Sequence, residues 1–232
     1  MEIIGHTASL DKTKGALKHY LISHPFDAVE MDFILTQDNV LVWSHDYKKN
    51  GVIVPKSTYK DLGEIVTLEE VLEVLDKDIH IMLDIKWGLN SNKKDLERLL
   101  ECLEILKKFK GAVSVASFNS GLIKKLLEYR NDIEYAYLGL IINLFNTLKY
   151  HNRRNIKCLE KIEFVSLASE LWEYLEEYKR YREIFPEAKV YAWIWDKLYS
   201  ESEARLQCFV DKGVDGVLVS EPYVLKRILR KT

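Results

Sequence analysis

Short apolar runs recur along the chain, spaced by longer stretches with helical periodicity. Eight of these runs, rich in Val, Ile, Leu and aromatic residues, read as strands: Ile3 to Gly5, Ala28 to Phe33, Ile79 to Ile85, Ala112 to Ser117, Tyr135 to Leu140, Phe164 to Leu167, Val190 to Trp195 and Gly216 to Val219. Amphipathic helical patterns separate most of them, at Leu68 to Leu75, Leu96 to Phe109, Gly121 to Tyr129 and Glu170 to Phe185. Between Ile141 and Leu159 polar Asn and Arg residues dilute the pattern and leave room for a loop. Strands alternating with helices signal a parallel sheet, and eight such units predict an α/β fold closed into a (β/α)8 TIM barrel.

One segment departs from the rhythm. After the second strand, Asp38-Asn39 sits between two extended runs, which predicts a β-hairpin excursion beyond the barrel rim. A turn centred there pairs Thr36 with Leu41, Ile34 with Trp43 and Asp32 with His45. The chain has 232 residues, close to the ~250 typical of one such barrel, and no repeat or linker divides it, so residues 1–232 are expected to form a single domain.

Composition narrows the partners. With 34 basic and 36 acidic residues the formal charge is -2, so no basic face calls for nucleic acid. The 3 cysteines, Cys102, Cys158 and Cys208, are far apart in helical stretches and read as small, partly buried apolar residues rather than ligands or disulfides. The opening Met-Glu-Ile-Ile-Gly-His lacks the basic and apolar regions of a secretory signal, and no run approaches the ~20 apolar residues of a transmembrane segment. The expectation is a cytoplasmic protein.

Candidate chemistry collects where the predicted strands end. In a parallel barrel those C-terminal ends hold the active site. Here they carry His6, Glu30-Met-Asp32, His45-Asp46 at the hairpin's return, and Asp84-Ile-Lys86. Residues i and i+2 of a strand share a face, so Glu30 lies with Asp32 and Asp84 with Lys86. The flanking Ala28, Val29, Met31, Leu83 and Ile85 are apolar, as in strands buried on both faces. Carboxylates aimed into such an interior repel one another unless a cation lies between them, and an all-oxygen set favours Mg2+ or Ca2+ over zinc. A lone histidine is most often structural. His6 and His45, at two strand ends beside a carboxylate cluster, fit acid/base catalysis instead. Lys86 is either the counter-ion of the acids or a point charge for a phosphate oxygen. His19, His24, His80 and His151 keep structural readings.

In order and spacing, Gly5-His6, Glu30-Met-Asp32, Leu35-Thr36-Gln-Asp38, His45-Asp46, Thr67-Leu68-Glu69-Glu70-Val71, Asp84-Ile-Lys86, Ser117-Phe118, Trp193 and the segment from Gly213 to Pro222 resemble the glycerophosphodiester phosphodiesterase family, within the phospholipase C-like phosphodiesterase superfamily of TIM barrels. The resemblance spans nearly the whole chain. It implies metal-dependent hydrolysis of a glycerophosphodiester to glycerol 3-phosphate and an alcohol. It further implies a divalent cation on Glu30, Asp32 and Asp84, His6 and His45 as acid and base, Lys86 against phosphate charge, and Phe118 and Trp193 lining the substrate pocket.

Three positions depart from the family pattern: Thr7 where arginine is usual, Leu10-Asp11-Lys12-Thr13 in place of Pro-Glu-Asn-Thr, and Asp84 in place of glutamate. Lys12 is a candidate to restore positive charge. The absent arginine and the Asp-Ile-Lys strand also resemble sphingomyelinase D-type phospholipases. That likeness leaves open a lysophospholipid or other larger lipid substrate. A catalytically degraded barrel that only binds a phosphoester is the remaining alternative.

Overall fold

The computed structural model describes residues 1–7, 10–75, 79–86, 93–117, 119, 122–123, 125–126, 134–139, 164–168, 189–193 and 203–230, with 134–139, 164–168, 193 and 205 described by backbone alone. Eleven strands occur among them: β1 (Glu2–His6), β2 (Ala28–Leu35), β3 (Leu41–Trp43), β4 (Lys48–Lys49), β5 (Val52–Ile53), β6 (His80–Ile85), β7 (Val113–Ser117), β8 (Glu134–Gly139), β9 (Phe164–Ala168), β10 (Lys189–Trp193) and β11 (Gly216–Val219). The described helices are α1 (Lys14–Ser23), α2 (Leu68–Val74), α3 (Lys93–Leu103), α4 (Glu203–Lys212) and α5 (Pro222–Leu229). The large sheet runs β1-β11-β10-β9-β8-β7-β6-β2, and β1 also pairs with β2. Eight parallel strands therefore close on themselves as the sequence predicts, each beginning and ending within two residues of its predicted run. The predicted helices at Ile141 to Leu159 and Glu170 to Phe185 lie outside the described residues.

Strand alternation separates two apolar layers. Val29, Met31 and Phe33 of β2 and Ile81, Leu83 and Ile85 of β6 point outward and pack with Leu17 of α1, Val71 of α2, and Leu96, Leu99 and Leu103 of α3. The alternate residues Ile4, Ala28, Met82, Ala116, Tyr191 and Leu218 form a second cluster across the barrel's waist. Below it, at the N-terminal ends of the strands, Tyr191 reaches across to Glu2. Gly216 leaves room for that ring, since a Cβ there would stand 2.8 Å from the Tyr191 Cδ1. His80 hydrogen-bonds Ser114 at this same end, 2.8 Å apart, in keeping with its structural reading.

The segment from Gly213 to Gly216 is scaffolding. Gly213 adopts φ +68° just past α4, a left-handed conformation that glycine reaches at little cost. The Asp215 carboxylate accepts from the Val190 N–H at 2.6 Å, and its carbonyl accepts from the Glu2 N–H at 2.7 Å. One residue thus ties β10 and β1 to the start of β11. Thr67 and Glu70 cap α2 reciprocally, with Thr67 Oγ1 accepting from the Glu70 N–H at 3.2 Å and Glu70 Oε2 from the Thr67 N–H at 3.0 Å.

The hairpin exists, but its register differs from the predicted one by one residue. Phe33 pairs with Trp43, Ile34 with Val42 and Leu35 with Leu41, and Ser44 rather than His45 bonds back to Asp32. The cause is Asn39, whose φ of +66° takes a third residue into the turn. Thr36 Oγ1 donates to Asp38 Oδ1 at 2.7 Å and accepts from the Val40 N–H at 2.9 Å, which closes the loop over Gln37 to Asn39. Arg98 of α3 donates to the carbonyls of Thr36 at 2.7 Å and Gln37 at 2.6 Å, holding the turn down. The short β3 also bridges to Thr67, and all three of its residues are buried.

The floor of the barrel carries a pH dependence. Burial alone raises the Glu2 carboxyl, but hydrogen bonds from Lys189 and Tyr191, each 2.7 Å long, outweigh burial and leave it below its ordinary 4.5. A carboxyl whose pKa is lower folded than unfolded stabilises the fold above its ordinary value and loses that contribution as pH falls through the folded value. Glu2→Gln is expected to melt below the wild type at pH 7, with the gap narrowing as pH falls below the ordinary 4.5 and through the lower folded value. Thermal unfolding of both proteins across that range checks it, and a gap that persists in acid assigns the effect to packing.

Candidate active site

The ring of parallel strands puts the candidate residues in adjacent rows. His6 at the end of β1 is in register with Glu30 of β2, and Asp32, one pleat nearer the rim, is in register with Asp84 of β6. The waist residues Ile4, Ala28 and Met82 precede them on the same strands and, with Ala116 of the neighbouring β7, belong to one apolar cluster. Glu30, Asp32 and Asp84 are only 3%, 2% and 1% exposed, and each presents an oxygen within 4.8 Å of the others'. This is the sequence-predicted acid set, brought together as expected.

Lys86 lies between two of the three acids. Its Nζ is 2.7 Å from Asp32 Oδ1 and 2.5 Å from Asp84 Oδ2. Burial alone would pull its ammonium down, but Asp84, Asp32 and Glu30 outweigh burial and hold it above its ordinary value. One lysine does not satisfy three carboxylates. Glu30 Oε2, Asp32 Oδ2 and Asp84 Oδ1 are buried with no hydrogen-bond partner. Burial, then the charges of Asp32 and Asp84, push the Glu30 carboxyl well above its ordinary range against Lys86 and Lys12. Burial pushes Asp84 up to about 6, with Lys86 opposing and Asp32 adding to the rise. An orphaned oxygen on each of three converging carboxylates is what a hard divalent cation would take, so the residues present fit Mg2+ or Ca2+.

The two histidines differ in setting. His6 Nε2 stands 3.7 Å from Glu30 Oε2, with the side chain 14% exposed. His45 follows β3 and is half exposed, and its Nδ1 lies 2.8 Å from Asp46 Oδ1. His45 does not pair with Asp32, whose carbonyl instead accepts from the N–H of Ser44, one residue earlier, at 3.0 Å. Tyr47, next in sequence, is 40% exposed, and Lys86 and Asp84 both act on its phenol, which burial raises above its ordinary value. Sequence reasoning passed over Tyr47. Its position directly after His45-Asp46 was the available signal.

The loop joining β1 to α1 accounts for two of the departures from the family pattern. Thr7 is fully buried, and its hydroxyl donates to the Glu30 carbonyl at 2.9 Å, so it fastens β1 to β2 rather than facing the pocket. Thr13 caps α1 by accepting from the Ala16 N–H at 3.1 Å. Between them Lys12 donates to the Thr7 carbonyl at 2.5 Å and stands 4.8 Å from the centre of the Trp43 ring. Trp193 ends β10 in register with Leu218, and Phe118 lies outside the described residues.

Among solved structures, a glycerophosphodiester phosphodiesterase from Parabacteroides distasonis matches with a TM-score of 0.76 over 99% of this chain and 97% of that one, at 18% identity. A phosphodiesterase from Oleispira antarctica, solved with the product sn-glycerol-3-phosphate, matches at 0.75 over 99% and 97%, with 16% identity. An N-acetylneuraminate lyase from Mycoplasma synoviae matches at 0.53 over 94% and 69%, with 14% identity. No protein-family model and no curated protein sequence matches the chain. At these identities the likeness establishes the fold, a (β/α)8 barrel, and the same fold supports unrelated chemistry in the lyase. No helix among the described residues is long and apolar enough to cross a membrane.

If the orphaned oxygens are metal ligands, Glu30→Gln has a two-part signature. Glutamine keeps the shape and removes one of three repelling charges, so the metal-free protein should melt no lower than the wild type. Mg2+ or Ca2+ should raise the wild-type melting temperature, by the equivalent of about 2.7 kcal/mol at a hundredfold excess over Kd, and leave the variant unmoved. Thermal melts with and without each ion check both parts.

Proposed function

We propose that the chain is one barrel domain acting as a metal-dependent phosphoric diester hydrolase on small glycerophosphodiesters, releasing glycerol 3-phosphate and an alcohol. The observation that carries this reading is the convergence of three buried carboxylates, each with an unpartnered oxygen, beside Lys86 and His6 at the C-terminal rim. The two phosphodiesterase neighbours support it, and one of them holds glycerol 3-phosphate.

Glu30, Asp32 and Asp84 hold the cation, Mg2+ or Ca2+. When bound it supplies Lewis-acid stabilisation to the phosphoryl oxygens. Lys86, already fixed between Asp32 and Asp84, keeps these acids ionised and adds positive potential where phosphate charge grows. One histidine takes the proton of the attacking hydroxyl and the other returns one to the leaving alkoxide. An Nδ1–H donated by His45 to Asp46 orients the ring and leaves Nε2 as its accepting nitrogen, while His6 faces Glu30 across 3.7 Å. Burial strengthens the interactions of the three acids with Lys86, since little water screens them, whereas the His45–Asp46 pair stands in solvent.

Release of glycerol 3-phosphate from glycerophosphocholine or glycerophosphoethanolamine, abolished by EDTA, is the expected assay result. His6→Ala and His45→Ala should each slow turnover by at least about 100-fold, the usual size of a general acid/base contribution. Near-normal turnover in both variants removes the acid/base assignment. Lysophospholipids in the same substrate panel test for action on larger lipids.

A further inference from the structure

We propose that Lys12, anchored on the Thr7 carbonyl and the Trp43 ring in the loop after β1, is the cation that binds the phosphate of the incoming substrate. The inference rests on the function proposed above and assigns its phosphate-binding residue.

The argument begins with charge. Glu30, Asp32 and Asp84 bring three negative charges to one buried pocket. A divalent cation and Lys86 match them. Lys86 is also committed, since it lies within 2.7 Å of two of the acids. A phosphodiester carries a further negative charge into this low-dielectric site, and a cation beside its oxygens lowers the cost of bringing that charge in.

Lys12 has the position for that role. It belongs to the loop after β1, on the C-terminal face where barrel enzymes bind their ligands. Its Nζ is 2.5 Å from the Thr7 carbonyl, and Thr7 is itself hydrogen-bonded to the Glu30 carbonyl. The Trp43 ring 4.8 Å away supports the ammonium from β3, the strand that leads to His45. The chain thus holds Lys12 from two sides, next to His6 through Thr7 and next to Ser44 and His45 through Trp43. Burial pulls the Lys12 ammonium below its ordinary value, and the charges of Asp32, Glu30 and Asp46 oppose that pull without cancelling it. A lysine serving only as a surface charge has no need of a carbonyl and an aromatic face to fix its head. An ammonium has three donor protons, so the bond to Thr7 is compatible with donation to a phosphate oxygen.

The test compares Lys12→Arg, Lys12→Gln and Lys12→Met with the wild type, and uses Lys18→Met as a control that removes the same charge from the exposed side of α1. Calorimetric titration with sn-glycerol 3-phosphate and with inorganic phosphate, on Mg2+-loaded protein, reads phosphate binding. Titration with Mg2+ and Ca2+ alone reads the cation site. Lys12→Gln and Lys12→Met should weaken glycerol 3-phosphate binding by about 10- to 100-fold, the range of a charge-assisted hydrogen bond, and lower kcat/KM in step. Lys12→Arg should stay within a few-fold of the wild type, and Lys18→Met should change nothing.

The cation titration should move the opposite way. Removing a nearby positive charge should tighten Mg2+ and Ca2+ binding several-fold, which damage to the fold would not do. Unchanged phosphate binding in Lys12→Gln, no phosphate binding by the wild type, or weaker binding of phosphate and cation together would each overturn the inference. If the wild type binds phosphate through Lys12 but hydrolyses no phosphodiester, the proposed reaction falls and the inference stands. Turnover that is indifferent to Lys12 gives the reverse.

Discussion

Three carboxylates cannot share a dry pocket unless positive charge shares it with them. Glu30, Asp32 and Asp84 are almost wholly buried, each with an unpartnered oxygen, and burial, added to by their mutual repulsion, raises Glu30 and Asp84 above the range of an ordinary acid. In water the same three groups at these separations would barely interact, because solvent screens them. In the barrel mouth, beside the apolar cluster of Ile4, Ala28, Met82 and Ala116, the field persists. The rest of the site follows from that constraint. Lys86 answers two of the acids, Lys12 is drawn toward the cluster, and the oxygens left over define a place for a divalent cation.

The alternation that makes the barrel also makes the pocket. In β2, Val29, Met31 and Phe33 serve the outer core, so Ala28, Glu30 and Asp32 must face inward. This much is legible from the sequence, because period-2 alternation and strand ends depend on neighbouring residues alone. The hairpin register is not legible in the same way. Whether a turn at Asp38-Asn39 holds two residues or three depends on Asn39 entering the left-handed region and on Arg98, far away in sequence, binding the carbonyls of Thr36 and Gln37. The one-residue difference moves His45 off Asp32 and puts Ser44 in its place.

The motifs behind the family resemblance divide into two kinds. Thr36 and Asp38 close a turn, Thr67 and Glu70 cap a helix, and Asp215 and Gly216 tie strands together at the barrel's base. The barrel they brace superposes on the two phosphodiesterases over 99% of the chain at 16–18% identity. His6, Glu30, Asp32, Asp84 and Lys86 make no comparable contribution to the frame. Lys12 belongs with this second kind, and the sequence marks it only as a charge that could replace a missing one. Only the folded loop shows that the Thr7 carbonyl and the Trp43 ring receive it.

A barrel alone decides nothing about chemistry, as the match to a lyase makes plain. The argument for a working site lies in what the acids cost. A buried ion cluster is often no more stable than well-packed apolar residues of similar volume, and incomplete pairing makes it worse. Met82 and Ala116, in the adjoining apolar cluster, show that the interior of this barrel accepts apolar packing readily. A barrel retained only as a frame would gain stability by extending that packing upward through positions 30, 32 and 84. Instead three acids with incomplete partners occupy the rim, beside a lysine already engaged with two of them. Their unfavourable isolation is removed when a cation and a phosphate enter together, so the arrangement is better matched to the loaded state than to the empty one.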